Sequence, residues 1–207
     1  MDASLTHHPH HNQHDELHKI QVRLERLYAL EPAPPIAQFV EIHDDHDQEC
    51  LMVHEGDGEL RLQLRLPAND NVRPSLSDSY AEHVEGVSHF LLMVERARTE
   101  LPTTLLELEL QAEVDKFALL AFGSDLTEGK RSSRLMAHTV HQWLYEQCQY
   151  LHPAHTLEGD RYRAANRLAA RWWSKMLTRG NRRSALQQLR TFYRCGPHEK
   201  IRLAKAV

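Results

Sequence analysis

The chain has 207 residues, 41% of them apolar and 26% charged, with a formal net charge of -4. That balance belongs to a water-soluble chain long enough for one sizeable core, and it excludes a collagen, a disulfide scaffold and a wholly disordered protein. No apolar run approaches the ~18–20 residues of a membrane helix, so no membrane partner is expected. Only 8 glycines and 9 prolines interrupt the chain, which favours long helices.

The small net charge conceals a bipolar chain. Residues 160–207 hold thirteen Lys/Arg against two acids, net +11, while the remainder carries -15. A basic C-terminal segment of this kind points to a polyanion partner, unless the two halves neutralise each other inside one fold. Cys50, Cys148 and Cys195 are far apart and form no CxxC, so neither a zinc ribbon nor a redox pair is signalled. With no apolar leader near Met1, a cytoplasmic location and reduced thiols are expected. Six of the sixteen histidines (His7, His8, His10, His11, His14 and His18) crowd the start, and residues 1–13 read as a disordered His-rich tail.

In chain order, residues 14–30 predict an amphipathic helix with Leu17, Ile20, Leu24, Leu27 and Tyr28 on one face, stopped by Pro32, Pro34 and Pro35. Residues 37–67 predict a three-stranded antiparallel meander. Its clearest strand is 59–66, where Leu60, Leu62, Leu64 and Leu66 alternate with Glu59, Arg61, Gln63 and Arg65. The first turn of that meander holds His43, Asp44, Asp45, His46 and Asp47, whose spacing matches no calcium loop. Residues 68–75 read as a linker. Two capping-box patterns follow, Ser79 with Glu82 and Thr104 with Glu107, each opening a helix. Further helices are expected over 133–152, 160–179 and 184–195. The fold class is thus α+β: an N-terminal helix and the meander (14–67) packed on a bundle of about five helices (76–207), sharing one core.

Three constellations could carry chemistry. Arg163, Arg167, Arg171, Lys175 and Arg179 form an unbroken i, i+4 row, followed at once by Arg182 and Arg183. A cationic ridge on one helix face suits a phosphate backbone or an acidic protein surface. His83, Glu85 and His89 on one predicted helix, with His138 and His141 on another, could hold a metal ion between them. Glu109, Glu113 and Asp115 lie between the two in sequence. Finally, Arg134 and His141 share a spacing seen in helical-bundle ribonucleases, as do Arg131 and His138, but a pattern this short arises by chance in so Arg- and His-rich a chain.

The sequence therefore leads to a non-enzymatic cytoplasmic binding protein whose basic C-terminal helices engage nucleic acid. The alternatives are an assembly module using acidic and basic helices, with self-association one form of it, and a metal-dependent hydrolase or ribonuclease at His138 and His141. No cofactor is expected.

Overall fold

The structure, a computed structural model, describes residues 9–43, 50–56, 59–67, 76–123, 125–128, 134–179 and 182–206. Helix α1 spans Pro9–Tyr28. It therefore starts within the stretch expected to be a disordered tail, of which residues 1–8 lie outside the described residues. The predicted stripe of Leu17, Ile20, Leu24, Leu27 and Tyr28 is buried. The helix stops before its prolines. Ala29 adopts φ 51, and the Leu30 N–H reaches back to Glu25 O at 2.9 Å, closing the last turn as a left-handed C-terminal cap does. The proline segment then lies along α1, where Gln21 donates to Pro34 O and accepts from Ile36 N.

The antiparallel meander is not formed. Strands β1 (Val40–His43), β2 (Cys50–Gly56) and β3 (Glu59–Pro67) make a mixed sheet in the order β1-β3-β2. β2 and β3 pair antiparallel from Gly56 opposite Glu59 outward, the hairpin the sequence predicts. β1 instead pairs parallel with β3, with Val40 opposite Leu64. Strand directions alternate as in a meander, and only the order differs. Placing β3 in the middle gives the longest and most regularly alternating strand a partner on both edges. It also fixes Leu64 in the core, fully buried beneath the α2 side of the sheet.

The rest of the chain is helical, so the molecule is mostly helical with a small mixed sheet, and the expected α+β fold built on an antiparallel meander is not the one observed. The helices are α2 (Leu76–Thr99), α3 (Leu105–Phe122), the single turn α4 (Asp125–Glu128), α5 (Arg134–His141), α6 (Leu157–Arg179), α7 (Arg182–Arg194) and α8 (Pro197–Lys205). α5 runs on into a π-helical turn, Gln142–Glu146, which ends the expected 133–152 helix early. Ser79 lies inside α2 and not at its cap. Thr104 is the N-cap of α3, its Oγ1 accepting from Glu107 N at 3.2 Å. The Glu107 side chain turns inward instead of completing the box.

α3 is the central helix, contacted by α2, α5, α6 and α8. One apolar core joins Leu17 of α1, Leu64 of the sheet, Phe117 of α3, Trp173 of α6, Phe192 of α7 and Ala204 of α8. Trp172 and Trp173 are both buried in it, at right angles to each other. Among the described residues no helix is long and apolar enough to cross a membrane.

Candidate functional site

A helix surrounded on every side must bury whatever polar residues it carries. α3 carries Glu107, Glu109, Gln111, Glu113, Asp115 and Lys116, all buried. Burying charge without partners costs several kcal/mol per group in order of magnitude, so each of these residues has to recruit one. They sort into three clusters along the helix.

At the N-terminal end, fully buried Glu107 binds Arg96 of α2 and Lys200 of α8, the latter at 3.1 Å, through the same oxygen. Arg96 also donates to Tyr193 O and Cys195 O at the end of α7. Burial pushes the Lys200 amine down to about 8 despite Glu107 beside it, with Arg96 adding to the effect. On the side facing α1, Asp115 accepts hydrogen bonds from Tyr28, from Ser88 at 2.6 Å and from Gln111 at 2.9 Å. Burial outweighs these three donors and lifts its carboxyl to about 6.

The third cluster is the candidate site. α2 and α3 are antiparallel neighbours, and each presents an i, i+4 pair toward the other: Glu85 and His89 from α2, Glu109 and Glu113 from α3. Lys116 Nζ bridges the two helices, donating to Glu85 Oε2 at 2.9 Å and to Glu113 Oε1 at 2.7 Å. Its position between two carboxylates raises its pKa further above that of a free lysine, against the effect of burial. Glu113 itself is pushed upward by burial, with the Lys116 ammonium opposing. Its second oxygen, Oε2, is buried without a well-formed hydrogen bond. His89 Nε2 stands 3.8 Å from Glu109 Oε2, and Arg161 of α6 holds the other oxygen of Glu109 at 3.3 Å.

Glu85, Glu113 and Lys116 of this cluster line a cleft of about 560 Å³ between α2, α3, the π-helical turn and the start of α6. Asp78, Glu82, Glu85, Glu113 and Lys116 are among its polar lining, and Trp143, Tyr150 and Tyr162 among its aromatic lining. Two of these rings already carry a cation over one face. Arg163 lies over the Tyr150 ring, 4.3 Å from its centroid, and Arg161 over Tyr162 at 5.5 Å. His152 stacks on Tyr162. Its volume falls within the range of small-molecule pockets.

The predicted site residues divide. Of the basic row, Arg167 and Arg171 are exposed on α6. Arg163 donates to His152 O and Gly159 O, and Lys175 to Ala206 O at the end of α8. The Arg179, Arg182 and Arg183 side chains lie outside the described residues. Of the predicted metal set, only Glu85 and His89 come together. His83 is committed to Gln13 and Glu16, His138 is exposed, and His141 meets Ser174 Oγ at 3.0 Å on another face of α3 and α6. Arg134 is likewise exposed.

Sequence reasoning noted Glu109 and Glu113 beside the metal constellation without assigning them to it, and missed Lys116 as a site residue. The signal for them was present: the apolar positions of residues 105–122 wrap the whole helix, leaving its acids nowhere to go but inward. Comparison of the chain with protein-family models, with curated proteins and with solved structures finds no match in any of the three.

Proposed function

We propose that the protein is a small-molecule binding protein whose cleft takes an organic cation, an ammonium group on an apolar body. The observation that carries this reading is the charge of the lining. Four carboxylates (Asp78, Glu82, Glu85 and Glu113) line the cleft with a single amine, that of Lys116, and with Trp143, Tyr150 and Tyr162. An ammonium head would meet the carboxylates of the lining, Glu113 among them, while its apolar body lies against the aromatic side chains. Cation–aromatic attraction is worth about 0.5–2 kcal/mol according to desolvation. A charge-assisted hydrogen bond to the carboxylate adds about 1.5–3 kcal/mol.

Equilibrium dialysis with a series of aryl- and alkyl-ammonium compounds and their uncharged alcohol counterparts tests it. The cations should bind, the alcohols should not, and Glu113→Gln should weaken binding by about tenfold or more, since 1.4 kcal/mol is tenfold. Equal binding of cations and alcohols, or affinity unchanged by the variant, would overturn the assignment.

A second reading has its own observation. Arg167 and Arg171 stand exposed one turn apart on α6, and a cationic pair so placed supports contact with a nucleic-acid backbone. Binding of labelled RNA and DNA should then fall steeply between 50 and 300 mM salt, roughly one counterion per phosphate neutralised. It should be lost in an Arg167→Glu, Arg171→Glu variant. If no nucleic acid binds at low salt, that surface belongs to an acidic protein partner or to a second copy of the chain, and the nucleic-acid reading falls.

A further inference from the structure

We infer that Glu85, His89 and Glu109 form a site for a divalent first-row transition-metal ion, one imidazole and two carboxylates being donors that Zn²⁺ accepts. The inference is separate from the cleft ligand, although the two share Glu85. One donor atom from each of the three side chains lies within 4.8 Å of the other two. His89 and Glu109 are each 6% exposed, so these two donors lie away from bulk water. A tetrahedral zinc ion with bonds of 2.0–2.1 Å holds its donors about 3.3–3.5 Å apart. The His89 to Glu109 separation of 3.8 Å is close to that and longer than a hydrogen bond, so modest side-chain movement suffices.

The two carboxylates are also held in place. Two cations orient the carboxylates from outside: Arg161 holds Glu109 through Oε1, leaving Oε2 toward His89, and Lys116 holds Glu85 through Oε2. Such outer partners fix ligand geometry at metal sites. Glu85 also lines the cleft, which supplies an entry path and room for a fourth ligand from solvent. The sequence pattern is equally economical: Glu85 and His89 are one turn apart on α2, and Glu109 faces them from α3.

A His-rich tract such as the start of this chain can also take up metal, so a bare stoichiometry would mislead. The full chain should be titrated with Zn²⁺ by equilibrium dialysis, as wild type and as His89→Gln and Glu109→Gln. The wild type should bind one equivalent more than either variant, because the N-terminal histidines are common to all three. Urea unfolding of the same proteins, with Zn²⁺ and with a chelator, gives a second readout that does not need folded variants. An ion in the interior site binds only the folded state and must raise the wild-type midpoint, whereas ions on the His-rich start bind the unfolded chain as well and raise it little. Equal stoichiometry in all three proteins, or a wild-type midpoint unmoved by Zn²⁺, would overturn the site.

Discussion

Two buried lysines show how much the partner count decides. Lys116 lies between two carboxylates and is held charged. Lys200 shares the single carboxylate of Glu107 with Arg96, faces the rings of Phe192 and Tyr193, has Asp115 further off, and is pushed down to about 8 from 10.5. Below about 8 both folded and unfolded chains hold this proton, and the burial cost is present in full. Between about 8 and 10.5 the unfolded chain keeps a proton that the folded chain has released, so stability rises with pH across that window. The urea midpoint should therefore increase from pH ~7.5 to ~9.5, and Lys200→Met should remove that increase while leaving stability at neutral pH equal or higher, because Glu107 keeps Arg96. Asp115 is the opposite case. Removing it strands the Tyr28, Ser88 and Gln111 donors at once, so Asp115→Ala should cost about 3–5 kcal/mol by chemical denaturation.

At the scale of elements, helix ends were decided by single residues. Ala29 holds φ 51 at the end of α1, a conformation that costs an L-residue about 1–2 kcal/mol and glycine almost nothing. Ala29→Gly should raise stability, by about 0.5–1 kcal/mol after the entropy of the unfolded glycine is counted, read as a higher melting temperature. Gly159 gives the reverse. A Cβ there would stand 1.9 Å from Pro153 O, at the turn that opens α6 and carries the cleft rim. Gly159→Ala should therefore destabilise the protein and weaken cleft binding together, which paired melting and dialysis measurements would register. The Thr104 cap was legible because capping acts over three residues. The π-helical turn at Gln142–Glu146 was not, since residues 133–146 read as uninterrupted helix. The β2–β3 hairpin was legible from alternation, whereas alternation says which face a strand shows and nothing about which neighbour it takes, and so the place of β1 was missed.

Across the whole molecule, the bipolar charge is partly resolved inward. Arg161 and Lys200 from the basic segment pair with Glu109 and Glu107 of α3, and Arg190 and Arg194 donate to the last carbonyls of α1. These contacts tie the first helix to the last third of the chain through one core. Unfolding should consequently be a single transition, with tryptophan fluorescence from Trp143, Trp172 and Trp173 coincident with far-ultraviolet circular dichroism; separate midpoints would mean that α1 and the sheet open independently. The sequence alone determined the helical stripes, the hairpin, the Thr104 cap and the uneven charge, because each depends on residues a few positions apart. Only the tertiary structure decided that β3 lies between β1 and β2, that His83, His138 and His141 stay apart, and that Glu85 and His89 meet Glu109 from α3. Those outcomes depend on which helix faces are covered and by what, a property of packing that local spacing does not carry.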